Sequence, residues 1–159
     1  MFFEEHAKLL ADFARVSQAA GARADYVQGG GGNTSVKLPG GLMAIKASGF
    51  CLSDIHPDQA YAVLDGADLR NFYLTTEPSE LADVEKEGSA RAKADVRHID
   101  GLADLRPSVE AGFHSILKTF VVHTHSVYAN LAACSTACRP IAAQAFAGAN
   151  YTWGWVPYT

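Results

Sequence analysis

The chain opens with apolar positions at helical spacing. Phe3, Leu10, Phe13 and Val16 fall on one side of residues 2–20, and Gly21 supplies a stop. This pattern predicts an amphipathic helix lying over a sheet. The period then changes. Tyr26 to Gln28 reads as a strand entering four consecutive glycines at 29–32, and residues 34–38 and 42–46 alternate around Pro39, Gly40 and Gly41, as in a β-hairpin. Residues 54–59 have the character of a turn or helix start, and residues 61–65 form another strand. Charge dominates from 66 to 105, where one helix over 79–97 is expected within a solvated covering segment, despite Gly88. Ser108 is a good N-cap for a helix reaching Lys118. Residues 120–125 then read as a strand and 126–135 as a helix packed by Val127, Leu131 and alanines. Arg139 and Pro140 break the chain, 141–147 is a short apolar segment, and 151–159 reads as a strand cut off in progress.

Two local patterns carry candidate chemistry. In a strand over 120–125, His123 and His125 point the same way with Cβ atoms roughly 7 Å apart, at a rise of about 3.3 Å per residue. That spacing lets two imidazoles converge on one metal ion, or simply hydrogen-bond. Glu110 falls in the first turn of the preceding helix, where a carboxylate is favoured by the helix dipole whatever else it does. His114, four residues on and among Phe113, Ile116 and Leu117, reads as a core or supporting histidine. The second pattern is the hairpin, which brings Asn33 at one end close to Ser48 and Gly49 at the other. The glycine run before it is either a flexible turn or the backbone wall of an anion pocket. Lys37 and Lys46, near strand ends, read as a solvated pair.

Composition narrows these choices. With 159 residues, 48% hydrophobic and 19% charged, the chain is expected to be one globular domain with a real core. A net charge of −4 offers no basic footprint for nucleic acid, so an anionic substrate must be held by local donors. Cys51, Cys134 and Cys138 make no disulfide framework, and the last two are expected on a shared buried helical face. The first residues carry acids where a signal peptide has bases, and no apolar run approaches the ~20 residues of a membrane span, so a cytoplasmic location is expected.

Pro107, Ser108, Val109 and Glu110, the following His114, and the segment Val122 to Ser126 resemble the core signature of class II sugar-phosphate aldolases of the aldolase/adducin superfamily. Gly32 to Ser35, followed by Lys46 to Gly49, is similar to that family's phosphate-binding loops. The fuller string Gly30 to Lys37 is most like the rhamnulose-phosphate-aldolase branch, which includes aldolase domains fused to a short-chain dehydrogenase. The resemblance covers most of the chain and is weak between 66 and 105. It implies an α/β fold of three layers, α/β/α, around a mainly antiparallel sheet. Residues 1–159 would be the N-terminal part of one such domain, with a further His ligand beyond residue 159.

The resemblance also implies a chemistry. Zinc held by His123 and His125 would act as a Lewis acid on a ketose phosphate, and retro-aldol cleavage to dihydroxyacetone phosphate and an aldehyde would pass through an enediolate. Glu110 would transfer the proton and could also ligate zinc at rest. Asn33, Ser48, Gly49 and Ser108 would hold the phosphate, and a cyclic tetramer is the assembly expected from relatives. Two departures stand out: Val109 replaces a second Ser, and Gln144 and Phe146 occupy the region where some relatives place a Tyr proton donor. Two alternatives remain. One is an epimerase, decarboxylase or dehydratase on the same scaffold; the other is an adducin-like assembly module without catalysis, against which Glu110, His123 and His125 together argue.

Overall fold

The computed structural model describes residues 1–150 and 152–156. At its centre β1 (Asn33–Lys37), β2 (Leu42–Lys46), β3 (Tyr61–Asp65) and β4 (Phe120–His123) form an antiparallel sheet in the order β3-β2-β1-β4. The first two strands are the expected hairpin, turned by Gly40 and Gly41 at φ 76° and 81°, values that glycine adopts without strain. Register decides where the chemistry falls. Asn33 pairs with His123 and Ser35 with Val121. Since alternate residues face opposite sides, Asn33, Ser35, Val121 and His123 share one face, and Thr34 and Val36 point through the other.

Thr34 and Val36 meet α1 (Phe2–Gly21), which runs the length its apolar stripe predicts. Leu10 and Phe13 pack with Val36, Ala44, Tyr61 and Val63 in the larger core, and the Phe13 and Tyr61 rings meet edge-on at 5.7 Å. Ser17 locks the register: its hydroxyl lies 2.7 Å from both the Phe13 carbonyl and Thr34 Oγ1. Each large side chain buried here contributes about 1.5–3 kcal/mol, so packing fixes the helix on the sheet.

The opposite face carries α2 (Gly66–Thr75), α3 (Val84–Ala94) and α4 (Ala111–Ile116), and completes the three layers. Met43, Ile45, Leu64, Leu69, Ala92 and Ala111 make a second core there. The charged stretch is therefore more than a solvated cover. Its helix α2 is capped by Asp65, whose carboxylate accepts the Asp68 N–H at 2.9 Å, and buries Leu69 completely. The expected helix over 79–97 is shorter, because Pro78 starts a separate 3-10 turn and Asp83 caps a new helix. Gly88 of α3 and Gly112 of α4 are the spaces into which the Tyr73 ring of α2 fits.

Other expectations are corrected. Tyr26 to Gln28 is a turn, because the Tyr26 and Val27 N–H groups return to the Arg23 carbonyl. The lysines are structural donors: Lys46 is 3% exposed, and Lys37 donates to the carbonyls of His114 and Lys118. Arg139 and Pro140 do not break the chain but lie in the first turn of α6 (Cys138–Ala145), where proline costs little. Val127 and Leu131 of α5 (Val127–Ala133) are exposed, and Cys134 ends α5 while Cys138 begins α6, so they share no buried face. Residues 152–156 carry no regular structure, and the rest of the strand expected at 151–159 lies outside the described residues.

Candidate metal centre and anion pocket

Glu110 reaches the site from the start of α4. Pro107 bridges to Ala47 at the sheet end, which holds the chain extended, and helix begins only after Glu110, later than the expected cap at Ser108. Ser108 Oγ instead accepts the Glu110 N–H at 3.3 Å. The other end of α4 is held by two cations, with Lys37 on the His114 carbonyl and Arg70 on those of Ser115 and Ile116. A six-residue helix is too short to be stable alone, so these contacts and the second core fix it.

His123 closes β4 and His125 lies two residues on, with ring centroids 4.9 Å apart. Ligand atoms of Glu110, His123 and His125 all lie within 4.8 Å of one another. Donors sharing one zinc ion are about 3.3 Å apart, given Zn–N bonds of about 2.0–2.1 Å, so small side-chain rotations bring the three into range. One pair is already there. Glu110 Oε1 is 3.0 Å from His123 Nδ1, yet that buried nitrogen has no hydrogen bond, because the distance is met and the alignment is not. Two donor atoms close together and unaligned for sharing a proton suit a third centre between them. The residues present fit a divalent cation.

Neighbours restrict the imidazoles. The Phe113 ring stands edge-on to His123 at 5.6 Å. A Cβ on Gly31 would sit 3.1 Å from His125 Nδ1, and one on Gly32, at φ 73°, would sit 2.9 Å from the His123 carbonyl oxygen. The glycine run is thus the place where a loop closes against the histidine pair, a stricter role than a flexible turn.

His114 stays out of the trio, as expected. It is fully buried, its Nδ1 lies 2.8 Å from Ser35 Oγ, and burial, helped by the Lys37 and His123 charges, pushes its pKa down to about 3. His98 is exposed and paired with Asp104, which raises its pKa. His6 is buried on α1 against Phe2, and His56 is exposed.

The proposed anion-binding residues converge at the same sheet end. Asn33 is 2% exposed and its side-chain oxygen has no partner. Ser48 donates its N–H to the Arg106 carbonyl at 2.9 Å, next to the bridge that carries Ser108. Gly49, at φ 92°, is open to solvent. Two residues escaped sequence reasoning. Lys46 donates to the carbonyls of Gly30 at 3.2 Å and Phe50 at 2.7 Å and so ties the glycine loop to the loop of Ser48 and Gly49. Burial lowers its pKa, against the attraction of Cys51, Glu110 and Asp54. Strand parity was the available signal, since Lys46 shares its parity with buried Ala44. The other is Arg106, whose Nη2 donates to Ser48 Oγ at 2.9 Å.

The chain belongs to the family described as Class II Aldolase and Adducin N-terminal domain, which matches residues 11–159. Its fold is that of the N-terminal class II aldolase domain of a conserved protein from Thermoplasma acidophilum, at 21% identity and TM-score 0.69, over 83% of this chain and 62% of that one. It also resembles YgbL from Escherichia coli (20% identity, TM-score 0.53, over 81% of this chain and 49% of that one). For YgbL from Klebsiella pneumoniae the values are 18% and 0.53, over 82% and 50%. YgbL carries the triple label aldolase/epimerase/decarboxylase, which leaves its reaction open. The chain therefore spans less than two thirds of these proteins. No curated protein matches it. Among the described residues no helix is long and apolar enough to cross a membrane.

Proposed function

We propose that the protein is a metal-dependent lyase that cleaves a ketose phosphate into dihydroxyacetone phosphate and an aldehyde. The observation that carries this reading is the unbonded 3.0 Å approach of Glu110 Oε1 to His123 Nδ1, with His125 in the same cluster. His123 and His125 would hold the ion, joined at rest by Glu110, and a donor set of imidazole and carboxylate suits zinc. When bound, the ion supplies Lewis-acid polarisation of the substrate carbonyl.

The chain's own residues do the rest. Asn33, Ser48, Gly49 and Ser108 bind the phosphate, and Lys46 holds their two loops together from below. In the cleavage, Glu110 enters protonated, and the hydroxyl on the aldehyde side gives up its proton to solvent water as the carbon–carbon bond breaks. The bonding pair stays on the ketose-derived fragment, and Glu110 delivers a proton to the carbon next to its carbonyl.

The test is solvent exchange. Dihydroxyacetone phosphate incubated with zinc-loaded protein in deuterium oxide should take up one deuterium at its hydroxymethyl carbon, read by proton NMR. A non-catalytic module gives no exchange. The triple label of YgbL favours keeping an epimerase, decarboxylase or dehydratase as the second reading, separated from the first by adding aldehydes and looking for aldol product. A cytoplasmic location and a homo-oligomer belong to the same proposal, the oligomer alone being supported by exposed Phe120, Val122, Tyr128 and Leu131.

A further inference from the structure

Resting on that reading, we infer that Arg106 binds the terminal phosphate of the substrate and makes the site selective for phosphorylated ketoses. The first ground is the company it keeps. Arg15, Arg23, Arg91 and Arg97 each pair with an aspartate, Arg70 is spent on the α4 carbonyls, and Arg139, also without a carboxylate among the described residues, lies exposed on α6. Arg106 has no carboxylate within 4.0 Å among the described residues. Asp104, on the same cavity wall, is turned to His98 Nδ1 at 2.9 Å. Among the described residues the guanidinium's one side-chain bond goes to Ser48 Oγ, and the other donors of its fork face water or a ligand.

The second ground is placement. The backbone of Arg106 is fixed from two sides, by the Ser48 N–H on its carbonyl and by the Ala47–Pro107 bridge immediately after it. Its side chain lies in the wall between two cavities, of about 540 and 230 Å³, which share Lys93, Arg106 and Pro107; Ser108 lines the smaller one. Arg106 is thus anchored against one candidate phosphate residue, Ser48, and shares the smaller cavity with another, Ser108.

The third ground is need. A chain of net charge −4 attracts no anion by its overall field, and Lys46, buried and donating to carbonyls, has little reach into solvent. A guanidinium meets phosphate oxygens in pairs, with a geometry that an ammonium cannot copy. It also sets specificity, since an unphosphorylated ketose gains none of these charge-assisted bonds.

The test uses inorganic phosphate and metal-free protein, so it needs neither turnover nor the ion. Side-chain nitrogen NMR should show the Arg106 Nε–H resonance shifting on titration. Arg106→Gln should weaken phosphate binding by about 10- to 100-fold, the usual worth of a hydrogen bond to a charged group. Arg106→Lys should fall between, and exposed Arg139→Gln should bind like the unmutated protein. Unchanged binding by Arg106→Gln, an unmoved Nε–H resonance at saturation, equal loss in Arg139→Gln, or no phosphate binding by the unmutated protein would each overturn the inference. Zinc binding by Glu110, His123 and His125, measured separately, is untouched by any of these results.

Discussion

His123 Nδ1 and Glu110 Oε1 lie 3.0 Å apart and share no hydrogen bond. They come from different elements, a strand end and a helix start, which the sheet register and the Lys37 and Arg70 contacts on α4 bring together. Neither element places the pair by itself. Zinc titrated into metal-free protein should therefore bind at one ion per chain, and His123→Ala should abolish binding in calorimetry. Affinity should be modest, since zinc sites use three or four protein ligands and this cluster offers three at most. Picomolar binding by the 159-residue chain would show that a further side chain takes part.

Glu110→Gln separates proton transfer from metal binding. At saturating zinc the variant should keep its fold and its metal and lose about 10²- to 10⁴-fold in turnover or in deuterium exchange. Equal rates at full occupancy would remove Glu110 from the chemistry and leave its helix start to substrate binding.

The sequence made the hairpin, α1 and the convergence of His123 with His125 legible, because each depends on a local period that neighbouring residues repeat. It hid α2, where only Gly66 and Leu69 are buried and a polar majority masks the inward stripe. It also hid the roles of Lys37, Lys46 and Arg106. A lysine's charge reads as surface, and only the fold reveals which carbonyls lie within reach of its ammonium. The start of α4 was misplaced for a similar reason: Ser108 has a capping side chain, but the Ala47–Pro107 bridge commits the backbone before it to the sheet.

His114 makes an acid-stability prediction. Its folded pKa is about 3, against 6.5 ordinarily, mainly through burial and further through Lys37 and His123. Between those values the unfolded state takes up a proton that the native state refuses. Stability from this group is thus complete above about pH 6.5 and declines as pH falls toward 3, by at most about 5 kcal/mol. Urea melts from pH 7 to 4 should show the decline, and His114→Leu should flatten it while lowering stability at pH 7 by leaving Ser35 Oγ unpaired. Parallel curves for the two proteins would mean that other groups carry the acid response.

Asn33 distinguishes a residue kept for binding from one kept for the fold. Its amide is buried, and its oxygen is unpaired in a protein whose interior otherwise satisfies most of its polar groups, an arrangement that costs about 1–3 kcal/mol. If that cost is carried for a ligand, Asn33→Ala should leave the thermal midpoint within a few degrees of the unmutated protein or raise it. The same variant should weaken phosphate binding by about tenfold, because the amide N–H donors of Asn33, the part of the side chain that can meet phosphate oxygens, are gone. A structural Asn would behave in the opposite way, with a sharp loss of stability and phosphate affinity unchanged once the variant is cooled below its midpoint. Measuring both quantities on one sample therefore decides the matter: a fall of more than about 2 kcal/mol in stability with unaltered binding removes Asn33 from the anion pocket.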